Sequence, residues 1–273
     1  MDLSKVKLIA TDMDGTLLNS KHEVSDDFFE LFNQIKSHGI LFVAASGRPY
    51  YSMIDKLSKI KDDIIIVSEN GGLGIKNEEL FLSNPIDGDN FKEIYDLASG
   101  IKDAHAVFCA RNKAYVLSDS QKLLELLKEY YPKYNVVSNP LQITEPIYKV
   151  ALFHEVSSER FIYPFVKHIE KRFKVKVSAN HWVDISENKA NKGHAISLIQ
   201  ENYNITTAET MVFGDYKNDI EMLKLAKFSF AMQNAHPDVK AVANFETKSN
   251  DENGVEYILK QTIEAKKAAI KTF

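Results

Sequence analysis

The segment Leu8-Ile9-Ala10-Thr11-Asp12-Met13-Asp14-Gly15-Thr16 decides the fold. Three apolar residues run directly into a polar turn, which is typical of a short buried strand that ends at the edge of a parallel sheet. Asp12 and Asp14 lie two residues apart on this glycine-assisted turn, so their carboxylates can converge on one small site. Their repulsion favours a hard cation such as Mg²⁺, although an ordinary acidic turn is the alternative interpretation.

The same pattern recurs along the chain and predicts the fold class. Apolar runs of strand length alternate with helical patterns, one starting at the N-cap candidate Ser25 and one at Lys192. This alternation predicts an α/β protein with a doubly wound, Rossmann-like parallel sheet, whose ligand crevice lies outside the carboxyl ends of the strands. Three further apolar runs end in polar residues: Ile40–Ala45 before Ser46-Gly47-Arg48, Ile64–Val67 before Ser68-Glu69-Asn70-Gly71, and Met211–Phe213 before Gly214-Asp215-Tyr216-Lys217-Asn218-Asp219.

A second module interrupts this pattern. Ser83–Asp89 has the turn-rich composition of a linker. The stretch after it has the order α-β-β followed by β-α-β-β, with a helix through Phe161, Phe165 and Ile169 and a strand over Val150–Glu155. We therefore predict a core of residues 1–84 and 187–273 and an inserted α+β cap of residues 85–186.

Several polar residues of the core could bind an anion. Ser46 and Gly47 offer a hydroxyl and backbone N–H groups to phosphate oxygens, and Lys192 offers a point charge at the start of a helix. A Ser-Gly turn without a ligand and a solvated lysine are the alternatives. Asn218 and Asp219 could cap a helix, which does not exclude metal binding.

Composition restricts the possible classes of protein. The chain has 273 residues, 44% of them hydrophobic, so it can bury a substantial core. A formal charge of −4 gives no general attraction for nucleic acid. No apolar run approaches the roughly 20 residues of a membrane span, and the single Cys109 excludes an intramolecular disulfide. We expect a cytoplasmic protein with a small-molecule partner and no evident protein partner.

The ordered motifs identify a family. Asp12-Met13-Asp14-Gly15-Thr16, Ser46, Lys192 and Gly214–Asp219 resemble the four motifs of haloacid dehalogenase-like hydrolases. The inserted module resembles the larger α/β (type IIB) cap of the Cof-type subfamily. The resemblance implies an aspartyl-phosphate mechanism, in which Asp12 attacks the phosphorus while Asp14 acts as the acid and then as the base.

The resemblance also implies the cofactor and its ligands. Mg²⁺ would be held by Asp12, the backbone carbonyl of Asp14 and Asp215, with Asp219 steadying the site; Mn²⁺ has overlapping preferences. The phosphoryl oxygens would be bound by Ser46, Lys192, Asn218 and backbone N–H groups near Met13 and Gly47. Specificity would come from the cap.

The residues that would contact the leaving group are the least determined part of the site. Arg48 and Asn70 follow strands that end in the crevice, and His181-Trp182 lies in the cap, where the tryptophan could instead serve packing. Tyr216 departs from the family, because many relatives have a small residue there. Lys217 is either solvated or directed at substrate.

These residues predict a Mg²⁺-dependent phosphomonoesterase that acts on a small phosphorylated metabolite, with sugar phosphates the leading class. A phosphomutase or phosphotransferase using the same aspartate is the nearest alternative. A non-catalytic metabolite-binding protein is the alternative from another class.

Overall fold

A computed structural model describes residues 1–117 and 120–271. The first half of the chain forms β1 (Leu8–Thr11), α1 (Asp26–Ser37), β2 (Leu41–Ala45), α2 (Tyr50–Lys56), β3 (Ile65–Ser68), β4 (Leu73–Lys76), β5 (Glu79–Ser83), α3 (Gly88–Ser99), β6 (Ala104–Ala110), β7 (Ala114–Leu117), α4 (Gln121–Tyr130) and β8 (Tyr134–Val136). The second half forms β9 (Ile147–His154), α5 (Ser158–Phe161), α6 (Tyr163–Val166), β10 (Phe173–Ala179), β11 (Trp182–Glu187), α7 (Lys192–Tyr203), β12 (Thr210–Gly214), α8 (Ile220–Leu223), β13 (Phe228–Ala231), α9 (Pro237–Lys240), β14 (Phe245–Glu246) and α10 (Gly254–Lys271).

The larger sheet has eight strands in the order β14-β13-β12-β1-β2-β3-β4-β5. Its strands are parallel from β14 to β3, and β4 and β5 are antiparallel additions at one edge. The chain moves outward from β1 through β2 and β3, and it later returns to the other side of β1 with β12. The switch point lies between β1 and β12, where ligands of such sheets bind. The predicted α/β fold class is confirmed.

Burial explains why β1 occupies the centre of this sheet. All four residues of β1 are buried. The N–H of Asp12, the residue that follows β1, donates to the carbonyl of Phe213 in β12. Helix α1 covers the sheet with Phe28 and Phe32, whose rings lie 5.4 and 5.8 Å from that of Phe42. The hydroxyl of Ser25 accepts a hydrogen bond from the N–H of Phe28, so the predicted N-cap is confirmed.

The second sheet has six strands in the order β10-β11-β9-β6-β7-β8. Its pairs are antiparallel except β7 with β8. All of its strands lie between Ser83, where β5 ends, and Lys192, where α7 begins. The division into a core and a cap at residues 84/85 and 186/187 stays a prediction.

The structure differs from the sequence pattern at one predicted helix and at four elements that were not predicted. The single helix predicted through Phe161, Phe165 and Ile169 is wrong: α5, α6 and a 3-10 turn at Lys167–Lys171 replace it. Pro164 has no N–H and its ring would clash with the carbonyl four residues earlier, so α5 cannot continue through it, and Pro164 lies instead in the first turn of α6. Helices α2 and α9 and strands β8 and β14 were not predicted. Over residues 1–117 and 120–271, no helix combines the length and apolarity that a membrane span requires.

Candidate active site

A cavity of about 410 Å³ lies at the carboxyl ends of β1, β2 and β12, between the two sheets. Most of the predicted site residues line it: Asp12, Asp14, Ser46, Gly47, Arg48, Asn70, Trp182, Asp215, Tyr216 and Asn218. The second sheet contributes further lining residues, among them Lys149, Ser178 and Asp184. The structure therefore brings together side chains that are far apart in the sequence, from Asp12 to Asn218.

Three carboxylates form a compact cluster at the switch point. Asp12, Asp215 and Asp219 each offer one oxygen, and these oxygens lie within 4.8 Å of one another. Gly15 permits this proximity, because its φ is +75° and an added Cβ would lie 2.4 Å from Asp215 Oδ2. The hydroxyl of Thr16 donates to Asp215 Oδ1 at 3.0 Å, so the first acidic turn positions the second.

Lys192 lies beneath the cluster and is fully buried. Its ammonium donates to Asp12 Oδ1 at 2.5 Å and to Asp219 Oδ1 at 2.7 Å. The other oxygen of Asp219 accepts from the N–H groups of Asp215 and Tyr216, both at 3.0 Å. Lys192 and Asp219 thus orient Asp12 and the Asp215 turn from the buried side of the cluster. Neither of them is among the residues that line the cavity.

The electrostatics of the cluster fit a hard divalent cation. Burial raises the pKa of Asp12 well above its usual value; Lys192 opposes this shift, and the neighbouring carboxylates add to it. Burial and the charge of Asp219 raise the pKa of Asp215 to about 6. Crowded carboxylates are costly to ionise together without a cation, and an all-oxygen donor set is the one that Mg²⁺ prefers.

Asp14 is held in the wall of the same cavity. Arg48 donates from Nε to Asp14 Oδ2 at 2.6 Å and from Nη2 to Oδ1 at 2.5 Å, and His22 Nδ1 lies 3.2 Å from Oδ1. Burial alone would raise the pKa of Asp14, but the hydrogen bonds and charge of Arg48, with His22, hold it below its usual value. His22 was not predicted, because it lies in a loop with no pattern around it.

Backbone hydrogen bonds build the remaining wall on the first sheet. The N–H of Ser46 donates to the carbonyl of Val67, and the N–H of Asn70 donates to the carbonyl of Ser46 at 2.9 Å. The side-chain amide of Asn218 donates to Asn70 Oδ1 at 2.9 Å. The loops after β2, β3 and β12 are therefore tied to one another at the mouth of the site.

The residues predicted to contact a leaving group are placed differently from one another. Trp182 lines the cavity and also packs on Phe153, with ring centroids 5.1 Å apart. His181 is not among the lining residues; its Nδ1 lies 3.1 Å from the carbonyl oxygen of His154. Tyr216 lies at the mouth with 52% of its surface exposed, while Lys217 pairs with Asp238 at 3.0 Å. Their roles in substrate binding stay predictions.

Comparison with known proteins identifies the family. A sequence profile described as haloacid dehalogenase-like hydrolase matches residues 9–259. The chain belongs to this family. The predicted resemblance to haloacid dehalogenase-like hydrolases is confirmed.

Relatives and a solved structure agree with this assignment. The 5-amino-6-(5-phospho-D-ribitylamino)uracil phosphatase YbjI of Escherichia coli K12 is 30% identical over 92% of this chain and 93% of its own length. Phosphatase YwpJ of Bacillus subtilis 168 is 29% identical over 94% of this chain and 100% of its own. The crystal structure of SMU.1108c from Streptococcus mutans UA159 superposes with a TM-score of 0.86, at 31% identity over 95% of this chain and 99% of that one. The haloacid dehalogenase-like chain is therefore an enzyme of the phosphatase class, as its sequence predicted.

Proposed function

We propose that the chain is a Mg²⁺-dependent phosphomonoesterase that acts on small phosphorylated metabolites through an aspartyl-phosphate intermediate. The placement of Asp12 carries the proposal, because its carboxylate borders the cavity, the acidic cluster and the ammonium of Lys192. A nucleophile needs access to substrate, and an anionic nucleophile that attacks an anionic phosphoryl group needs compensating positive charge.

Asp12, Asp215 and the backbone carbonyl of Asp14 would hold the Mg²⁺, with Asp219 fixing the Asp215 turn. When bound, the cation would neutralise charge on the phosphoryl oxygens. Ser46, Asn218 and the N–H groups of the Gly47 loop would bind the same oxygens from the other side. Lys192 would keep Asp12 oriented and, together with the bound cation, would favour its ionised form for attack.

The reaction would proceed in two displacements. The carboxylate of Asp12 would form a bond to phosphorus as the bond to the leaving oxygen breaks, and Asp14 would give that oxygen a proton. Because Arg48 and His22 hold the pKa of Asp14 below its usual value, Asp14 would first leave its ion pair with Arg48 and take up a proton from solvent as the substrate binds. Asp14 then takes a proton from the water that attacks the aspartyl phosphate, which releases inorganic phosphate and frees Asp12. Arg48 would hold both oxygens of Asp14 in its carboxylate form, which is the form that acts as the base in the second step.

Sugar phosphates are our leading substrate class. The cavity of about 410 Å³ suits a leaving group of one or two rings. Its wall on the side of the second sheet, within the proposed cap, offers the rings of Trp182 and Tyr131 and the polar groups of Asp184 and Ser178, a combination that suits a hydroxylated molecule. The name of the Escherichia coli relative describes a phosphorylated sugar alcohol joined to a uracil ring, which makes this compound a second candidate.

The test is phosphate release from a panel of sugar phosphates, polyol phosphates and that compound, with Mg²⁺, with Mn²⁺ and with EDTA. Asp12→Asn should abolish release, whereas the control Asp63→Asn, which removes an exposed carboxylate paired with Lys36, should not change it. Transfer of the phosphoryl group to a second hydroxyl without net release would establish a mutase. Binding without turnover across the panel would establish a metabolite-binding protein.

We also propose a cytoplasmic location, since a single cysteine cannot form an intramolecular disulfide.

A further inference from the structure

Lys149 is a buried charge that joins the two sheets. It lies on β9 of the second sheet, is 3% exposed, and its ammonium lies 2.7 Å from Oε2 of Glu69, which directly follows β3 of the first sheet. The same ammonium donates to the carbonyl oxygen of Gly47 at 3.0 Å and lies 3.9 Å from Asp184 Oδ2. Asp184 belongs to the second sheet, so one amino group contacts both sides of the cavity.

The contact with Gly47 falls on a peptide group that the active site uses. Its carbonyl oxygen accepts from Lys149, and its N–H, which is that of Arg48, donates to Ser46 Oγ at 3.1 Å. The peptide plane between Gly47 and Arg48 is thus held at both ends. A rotation of this plane would move the hydroxyl of Ser46 and the start of the Arg48 side chain, which holds Asp14.

Among the described residues, backbone hydrogen bonds tie the rest of this loop to the first sheet. The N–H groups of Glu69 and Asn70 donate to the carbonyls of Arg48 and Ser46, at 3.1 and 2.9 Å. An added Cβ on Gly47 would lie 3.0 Å from the Asn70 amide, so there is little free space on that side. Among the hydrogen bonds of the described residues, the one from Lys149 to the carbonyl oxygen of Gly47 reaches this loop from the second sheet.

We propose that Lys149 is a positioning residue: it fixes the Gly47–Arg48 peptide only when the second sheet lies over the site, and so couples closure of the cavity to the geometry of Ser46 and Arg48. This inference rests on the proposed function. Burial opposes the charge on Lys149, but the carboxylates of Asp184 and Glu69 outweigh it and raise its pKa well above the usual value, so the donor stays protonated at neutral pH.

Two other roles for Lys149 make different predictions. A purely structural ion pair would affect the stability of the fold and leave the kinetics of the folded enzyme unchanged. A contact with the leaving group would change KM for a metabolite but not kcat for a small aryl phosphate. A positioning role lowers kcat for every substrate, because the peptide lies on the side of the phosphoryl group that all substrates share.

The experiment compares Lys149→Met, Glu69→Gln and the double variant with p-nitrophenyl phosphate and with the best metabolite of the panel. We expect Lys149→Met to lower kcat by roughly tenfold to a hundredfold on both substrates, since a displacement near 1 Å can have that effect. Glu69→Gln keeps the donor to Gly47 and should hold kcat within about threefold. In the double variant no buried carboxylate is left unpaired, so the melting temperature should recover while kcat stays low.

Lys122→Met is the matched control. Lys122 also donates to a backbone carbonyl, that of Glu155 at 3.0 Å, but both residues lie outside the active-site cavity. Its kcat should match that of the wild type. The proposal would be overturned if kcat recovered together with the melting temperature in the double variant. It would also be overturned if Lys149→Met changed KM and left kcat unchanged.

Hydrogen exchange separates this proposal from the proposed function. In Lys149→Met, the amides around Arg48 should exchange faster, whether or not the enzyme turns over p-nitrophenyl phosphate. If wild-type release does not depend on Asp12, the proposed function fails while faster exchange still supports the coupling. Unchanged exchange in this loop would refute the positioning role by itself.

Discussion

Gly15 offers a quantitative test of how the acidic site is built. Replacement by alanine has two effects that the structure separates. The first is backbone strain, because φ at Gly15 is +75° and an alanine in the left-handed region costs about 1–2 kcal/mol. The second is steric, because the new Cβ would lie 2.4 Å from Asp215 Oδ2, against a limit of 3.0 Å for real Cβ contacts.

The steric effect should lower the catalytic activity. The Asp215 carboxylate must move by roughly 0.6 Å or more, which displaces one proposed ligand of the cation, and a displacement of this order can lower kcat by about tenfold to a hundredfold. We therefore expect Gly15→Ala to lose about 1–2 kcal/mol of unfolding free energy, to need more Mg²⁺ for half-maximal activity, and to have a lower kcat at saturating Mg²⁺.

Gly39→Ala is the control, because Gly39 has a φ of +70° and nothing lies within 4 Å of its added Cβ. It should lose a similar unfolding free energy, measured by urea titration, and keep the wild-type kcat and Mg²⁺ requirement. The reasoning is refuted if Gly15→Ala has the kinetics of Gly39→Ala, because Asp215 would then tolerate the displacement.

Three further substitutions test other parts of the molecule. Trp182→Leu should raise KM for a cyclic sugar phosphate by roughly tenfold and leave inhibition by inorganic phosphate unchanged, because Trp182 lies on the second sheet and the proposed phosphoryl-binding groups lie on the first. Ser25→Ala should lower the unfolding free energy by about 1 kcal/mol without changing kcat, because α1 loses its N-cap. Burial raises the pKa of Glu256 in the folded chain, so its contribution to stability is greatest below the unfolded-state pKa and is lost as pH rises through the folded-state pKa. Glu256→Gln should therefore flatten the fall in melting temperature between acidic and neutral pH, and an unchanged slope would contradict the assignment.

The sequence predicted the parts of the fold that depend on local chemistry. β1 was evident because an uninterrupted apolar run suits a strand covered on both faces. The start of α1 was evident because serine is favoured at an N-cap, and the hydroxyl of Ser25 indeed accepts a hydrogen bond from the N–H of Phe28. The acidic cluster followed from topology, since the carboxyl ends of neighbouring parallel strands meet at one edge.

The sequence did not reveal features that depend on tertiary contacts. Helix α2 spans only seven residues, Tyr50–Lys56, and buries the consecutive residues Tyr51, Ser52 and Met53, so it has no clear helical stripe. The partners of Lys149 lie about 80 or more residues away on the first sheet, at Glu69 and Gly47. Lys149 lies just before the predicted strand Val150–Glu155, whereas in the structure β9 begins at Ile147 and is buried throughout, so its lysine requires a buried partner.

The burial of Lys192 beside the acidic cluster determines which ions can neutralise the charge of the site. In the fully ionised form, the carboxylates of Asp12, Asp215 and Asp219 and the single ammonium carry a net charge of −2. A divalent ion brings this total to zero, whereas Na⁺ or K⁺ would leave a negative site that repels a phosphate ester. The site would thus select an ion by its charge before it selects by its radius. In a Lys192→Met chain the balance would shift by one charge, and a trivalent lanthanide would become the electrostatic match.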